Sequence, residues 1–300
     1  MTPRAYRILV LVALASRSMS AAAEDVSQFA KPRSWTAFYA GSARYTGVGG
    51  DLNATRYGVS LGSDMEFGGG WLAGGSVSIG KQHFEAPDSS GDSNDLFLSL
   101  YARKSFLGDG YVVGSALLGW HDVTTLRNAV FEELQGKVTA QELGGHIEAG
   151  YRWWLDSTYS AAPFFAVAGE TIHTPAYGET SLSGLNLFAR NYGAYDSTVA
   201  HTELGTRIGR SFEISQNKLW VEATLGWAHQ LDDTPLAQTV FFGVGGFSVS
   251  TIFPARETAL LGLNLQAQET DGLSYGARFD SQVGGNTTVL SGMANVAWRW

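Results

Sequence analysis

The side chains best suited to chemistry in this chain are its histidines. Five of the six, His83, His121, His173, His201 and His229, stand near carboxylates, among them Asp122, Asp196, Asp232 and Asp233. A histidine held by a carboxylate can take a proton from water as a general base. Beside a serine it can activate a hydroxyl nucleophile. A second set carries charge through otherwise apolar stretches: Arg56, Asp64, Glu66, Glu142, Glu148, Arg152, Glu203, Arg207, Glu222, Arg278, Asp280 and Arg299. Such residues either line a selective channel or pair with one another so that none faces an apolar medium. Other chemistry is excluded. Cysteine is absent, which removes thiolate metal sites, thiol nucleophiles and disulfides together. The run Gly68-Gly69-Gly70 is followed by no strand–helix unit and cradles no phosphate, and no acidic loop has calcium-ligand spacing. No metal and no cofactor is expected.

The elements that must carry these residues follow from composition and periodicity. The chain has 300 residues, 37 of them glycine, with 12% aromatic and 16% charged side chains. Mean hydropathy is −0.04, and beyond the first twenty residues no apolar run is long enough for a membrane helix. Net charge is −8 with scattered basic residues, so nucleic acid is not an expected partner. Arg4 and Arg7, an apolar Ile8–Ala15 core and the small residues Ala21-Ala22-Ala23 read as a Sec-type signal peptide over 1–23. A short segment, 24–34, then leads into the body of the chain, 35–300.

From Trp35 onward, alternating segments predict twelve strands at 35–46, 54–67, 70–84, 93–106, 110–125, 137–156, 161–174, 197–214, 217–231, 256–269, 273–284 and 288–300. In 139–153, Leu143, Ile147, Ala149, Tyr151 and Trp153 share one face, while Glu142, His146, Glu148 and Arg152 share the other. The closing stretch repeats the pattern, with Leu290, Gly292, Ala294, Val296, Trp298 and Trp300 opposite Ser291, Met293, Asn295, Ala297 and Arg299. The segments are long for a β-sandwich and suited to a tilted membrane wall. Tight breaks (68–70, 107–110, 215–217, 270–272) alternate with longer ones (47–53, 85–92, 126–136, 175–196, 232–255), as in barrels with short turns at one end and loops at the other. Trp35, Phe67, Trp71, Trp120, Trp153, Trp154, Trp220 and Trp227 are expected to form interfacial girdles. The fold class is therefore all-β, a transmembrane antiparallel barrel of twelve strands. Its natural surroundings are outer-membrane lipid.

Several stretches carry a family likeness: Tyr57-Gly-Val-Ser-Leu-Gly-Ser-Asp64, Trp71-Leu-Ala-Gly-Gly-Ser-Val77, Gly119-Trp-His-Asp122, Gly145-His-Ile-Glu-Ala-Gly-Tyr-Arg152, Pro163-Phe-Phe-Ala166, Leu204-Gly-Thr-Arg207, Gly226-Trp-Ala-His229 and Ala259-Leu-Leu-Gly-Leu263. In order and spacing, the span Trp35–Trp300 resembles the autotransporter β-domain, the translocator barrel of type V secretion proteins. The resemblance implies a bacterial outer-membrane barrel without enzymatic activity, serving protein translocation or surface display. It also implies that the aromatic-x-aromatic ending, Trp298 and Trp300, is read by the barrel assembly machinery, with periplasmic chaperones as further partners. Domains of this family carry an N-terminal passenger, whereas Glu24–Ser34 leaves room for neither a passenger nor a full lumenal helix. A free-standing barrel, a relic without passenger or a reading frame lacking its upstream part are the readings, with the signal-like start favouring the first two. A passenger or surface ligand is thus an unidentified partner.

On this strand map the five histidines fall near extracellular strand ends. That is where an omptin-like protease or a surface lipase would place its site, and also where polar rim residues belong. The contexts of His121-Asp122 and His229 match positions common in non-enzymatic barrels, so no catalytic residue is assigned. Twelve strands leave only a narrow channel, which favours mutual pairing of the lumenal charges over a passive pore. The apolar stretch Phe241–Val249 is expected to be a hairpin rising beyond the membrane.

Overall fold

The structure, a computed structural model, describes residues 33–47, 51–106, 109–214, 217–231, 237–242, 245–250, 255–268 and 272–299. The expected signal peptide, most of segment 24–34, Asp232, Asp233 and Trp300 lie outside the described residues. Seventeen strands are described: β1 (Arg33–Tyr45), β2 (Leu52–Phe67), β3 (Trp71–Ala86), β4 (Ser89–Ser105), β5 (Gly110–Ala129), β6 (Glu132–Tyr151), β7 (Trp153–Trp154), β8 (Tyr159–Thr174), β9 (Tyr177–Ser181), β10 (Asn191–Tyr192), β11 (Tyr195–Ile214), β12 (Asn217–Gln230), β13 (Ala237–Phe242), β14 (Gly245–Ser250), β15 (Glu257–Gln268), β16 (Leu273–Gly284) and β17 (Thr287–Arg299).

Twelve of these build the wall: β1–β6, β8, β11, β12 and β15–β17, each antiparallel to the next. The ring closes where β1 pairs with β17, from Arg33↔Arg299 to Tyr45↔Thr287. Closure leaves no open edge, which is what allows strands to live in hydrocarbon. β7 pairs with the start of β8, and β9, β10, β13 and β14 form short pairings beyond the loop end of the wall.

Alternation decides which way each side chain points. Outward faces show large exposed apolar groups on strand after strand, such as Leu61, Ile79, Leu100, Leu118, Ile147, Phe165, Leu204, Leu263 and Val296. On β5 the outward series runs Val112, Ala116, Leu118 and Trp120, then turns polar at Asp122. That switch marks the upper edge of the apolar band. Phe67, Trp71, Trp153, Trp154 and Trp227 are exposed at strand ends, as girdle aromatics are. Trp35 and Trp220 are not: both point inward, 6% and 8% exposed. Strand parity turns them inward, and a glycine on the neighbouring strand makes room for each ring. A side chain at Gly62 would lie 2.3 Å from the Trp35 ring, and one at Gly209 would lie 2.1 Å from that of Trp220.

Two expected loops prove to be turns. Residues 85–92 and 126–136 are strand except for Pro87-Asp88 and Val130-Phe131, so β3–β4 and β5–β6 are continuous hairpins that project beyond the apolar band. Above lipid the outer face of a strand meets water. Apolar alternation is then not required, and hydropathy gives no sign that the ladder continues. The stretch 237–250 is the expected hairpin, β13–β14.

Candidate functional site

The interior is where the fold concentrates charge. Near the short-turn end, Trp35, Ala37, Tyr39, Leu72, Tyr101, Met293 and Ala297 pack together. The Trp35 indole donates to the Tyr101 hydroxyl at 3.0 Å, which in turn donates to Asp64 at 3.0 Å, while Arg33 lies 3.5 Å from the same carboxylate. Also toward the short-turn end, Arg207 on β11 reaches Glu148 on β6 with two contacts, 2.5 and 2.7 Å. The Tyr111 hydroxyl of β5 donates to Glu148 at 2.7 Å and accepts from Arg207 at 2.7 Å. The guanidinium also lies 4.1 Å over the Phe164 ring. Carboxylate and guanidinium are thus matched as a fork. Arg152 pairs with Glu222 at 2.8 Å, and Arg278 with Asp280 at 2.8 Å.

His121 forms a third group. It is fully buried, with Nδ1 3.0 Å from Asp95 and Nε2 2.9 Å from Glu142. Carboxylates on both ring nitrogens are the arrangement a protonated imidazole satisfies. Ser93 donates to Asp95 at 2.5 Å, and Phe97 meets the imidazole edge-on at 5.3 Å between centroids. Arg56 stacks beside it, 4.5 Å over Phe97 and 5.2 Å over Tyr39. A guanidinium and an imidazole thus stand among two carboxylates.

The predicted lumenal charges therefore fall as follows. Arg56, Asp64, Glu142, Glu148, Arg207 and Glu222 are buried, Arg152 and Glu203 are half-buried, and Glu66 is exposed at the rim of β2. Arg33 and Tyr101 join Asp64, Asp95 joins His121 and Tyr111 joins Glu148, and none of the four was identified as a site residue from the sequence. For Asp95 a signal existed: it shares a register with Ser93, Phe97, Ser99 and Tyr101, all buried.

The histidines are divided rather than gathered. His121 and Asp122 are neighbours in sequence, so they point to opposite faces of β5, one fully buried and the other exposed. His201 faces inward and bonds Glu203 at 3.0 Å. His83, His173 and His229 face outward above the apolar band, each on a carboxylate: Asp92 at 2.9 Å, Asp196 at 2.7 Å and Glu257 at 2.7 Å. Glu85 adds a second contact to His83 at 3.1 Å. Asp92, foremost, and Glu85 raise the His83 imidazole above its ordinary pKa. These pairs bridge adjacent strands at the water boundary. Of the two histidines held by two acids each, His83 stands at the water boundary, whereas His121 is fully buried and presents neither ring nitrogen to a substrate.

Beyond the band, the segment joining β9 to β10 is pinned to the inner face of the β5–β6 hairpin. Arg127 is held by Glu179 at 2.9 and 2.5 Å and donates to the Phe188 carbonyl at 2.9 Å. Glu132 accepts from the amides of Leu187 and Phe188 at 3.2 and 2.9 Å. Tyr177 and Tyr192 stack at 4.6 Å, and burial, helped by the Glu179 carboxylate, pushes the Tyr192 hydroxyl up to about 12. No sequence signal pointed to this staple, because its partners are distant in the chain.

With this geometry in view, comparison with known proteins is informative. The family model described as "Autotransporter beta-domain" matches residues 34–280. The translocator domain of the autotransporter NalP from Neisseria meningitidis superposes with a TM-score of 0.80 at 13% identity, covering 95% of this chain and 94% of that one. The β-domain of the Bordetella autotransporter BrkA gives 0.68 at 18% identity, covering 90% and 100%. The transport unit of AIDA-I from Escherichia coli gives 0.58 at 12%, covering 92% of each. At such identities the superpositions bear on the fold alone. Among curated proteins, none matches the chain in sequence.

Proposed function

Since the chain belongs to the autotransporter beta-domain family, we propose that this outer-membrane translocator barrel carries polypeptide to the cell surface or displays its own loops there. The observation that carries this reading is the lumen. A closed ring of twelve strands encloses charges matched to one another, as in Arg207–Glu148 and Arg152–Glu222, so the passage is polar yet holds few uncompensated charges to trap a moving chain. The enclosed setting of His121 supports a non-enzymatic role.

On this reading residues 1–23 direct export, 24–34 form a short lead and 35–300 form the barrel, with the 130–131 end outside the cell. The assembly machinery and periplasmic chaperones are its partners during insertion, with Trp298 and Trp300 as the assembly label. Trp298 is 57% exposed on the outer face, within reach of a docking protein. A passenger or surface ligand is the remaining partner.

The test uses the full chain with an unstructured, epitope-tagged reporter inserted between Ala23 and Glu24. On intact cells the tag becomes accessible to added protease. A tag that stays protected while the barrel runs as a folded, heat-modifiable species refutes translocation. Deletion of Trp300 abolishes the heat-modifiable form if the terminal aromatics label the strand, and unchanged folding refutes that role.

A further inference from the structure

Among the described residues, the tip of the β5–β6 hairpin, together with the 182–188 loop stapled beside it, carries the most exposed apolar side chains beyond the membrane band. Val130 is 87% exposed and Phe131 64%, with Leu182, Leu185 and Leu187 each 57% or 58%. They form one patch. Phe131 meets Phe188 edge-on at 5.5 Å, and the Leu182 amide donates to the Glu133 carbonyl at 2.9 Å.

Val130 is the second observation. It sits at φ 56°, in the left-handed region where glycine or asparagine belongs and a β-branched residue is strained. Backbone strain of this kind persists where something other than stability retains the side chain. Here that side chain is the most exposed large apolar group among the described residues.

From this patch we infer that the tip is a lipid-contacting wedge that inserts into an apposed, zwitterionic membrane surface. Three arguments select lipid over protein. The patch is aliphatic and phenyl, without the Tyr, Trp and Arg that anchor protein interfaces. The amides of Ser181, Leu182, Leu187 and Phe188 are satisfied internally, so the tip offers hydrocarbon and few free donors. Its five side chains present on the order of 500 Å², comparable with the largest, often functional patch of a typical monomer but short of the roughly 800 Å² per partner in a stable protein interface. The exposed charge beside it is acidic, Glu133, which disfavours an anionic surface. The tip stands ten residues beyond Trp120 on β5, about 25 Å along a tilted strand, so the barrel's own hydrocarbon layer is out of reach. Only the assignment of this end to the outside rests on the translocator reading.

The experiment reconstitutes the full, folded barrel in nanodiscs and measures co-flotation with phosphatidylcholine vesicles. The wild type floats with the vesicles. Phe131→Ser weakens the association by roughly ten- to a hundred-fold, and adding Leu185→Ser weakens it further. Val130→Asn, which suits the left-handed backbone, keeps or raises thermal stability while lowering vesicle binding. A fold defect would move both together. Absence of wild-type flotation overturns the inference, as does binding unchanged in the double variant. Concentration-dependent self-association lost on Phe131→Ser, without vesicle binding, assigns the tip to a second copy and also overturns it. None of these outcomes depends on surface exposure of the reporter, so the two readings fail separately.

Discussion

Removing one partner of the Arg207–Glu148 pair is the sharpest perturbation the lumen offers. Both side chains are buried, at 7% and 1% exposure. Arg207→Met leaves the Glu148 carboxylate with the Tyr111 hydroxyl as its remaining close donor, and stripping one member from a buried pair costs about 3–5 kcal/mol. Glu148→Met takes the two-pronged carboxylate from the buried guanidinium, with a loss of similar size, again about 3–5 kcal/mol. If the two effects were independent, the double variant would lose about 6–10 kcal/mol. In the double variant both members of the pair are gone together; the main loss is the two hydrogen bonds of the Tyr111 hydroxyl to them, about 1–3 kcal/mol. The cycle therefore predicts a coupling of at least about 3 kcal/mol, with the double variant more stable than either single. Reversible urea unfolding in lipid vesicles, followed by tryptophan fluorescence and gel mobility, measures all four corners. Additive losses refute the reasoning, and so does a single variant as stable as the wild type.

The other predictions concern separate parts of the barrel. Asp92 and Glu85 hold His83 protonated above its ordinary 6.5, so their stabilising contribution is complete below about pH 6.5 and fades as pH rises through the raised value. His83 is about half exposed and the effect is small; an imidazole NMR titration with its midpoint at or below 6.5 refutes it. Gly62→Ala drives a methyl into the Trp35 ring and breaks the bond to Tyr101, costing about 1–3 kcal/mol. The loss is read as a lower unfolding midpoint and weaker near-ultraviolet tryptophan dichroism, and an unchanged spectrum counts against the packing described. Arg127→Ala removes the hold of β5 on Glu179 and on the Phe188 carbonyl and so loosens the 182–190 loop. Limited proteolysis then cuts there several-fold faster while the barrel stays intact, and equal cleavage rates refute the staple.

How far the sequence could be read depended on the medium around each segment. Inside the apolar band one face meets lipid and the other the lumen, so Leu143, Ile147 and Tyr151 separate cleanly from Glu142, His146 and Glu148. Twelve strands and their inward charges follow from that constraint. Above the band the outer face meets water instead of lipid and the apolar pattern lapses, so Ser89–Asp92 and Glu132–Gly136 carried no strand signal although their ladders are complete. The girdle aromatics were legible by position except at Trp35 and Trp220. There the deciding residues, Gly62 and Gly209, lie on neighbouring strands, and only the register shows that they make room inward.

The sequence by itself determined the class of protein: period-2 alternation over long segments, punctuated by glycine turns, admits a membrane barrel and little else. It also determined which charges face inward, because side-chain direction in a strand is a matter of parity. Pairing was decided by tertiary structure alone. Arg207 finds Glu148 across 59 residues and Arg127 finds Glu179 across 52, because closure of the sheet sets each strand's stagger against its neighbours. The histidines show the same division. Parity sets His121 and Asp122 on opposite faces, but only the closed barrel brings Asp95 and Glu142 to either side of the imidazole and turns a suspected catalytic group into part of the wall.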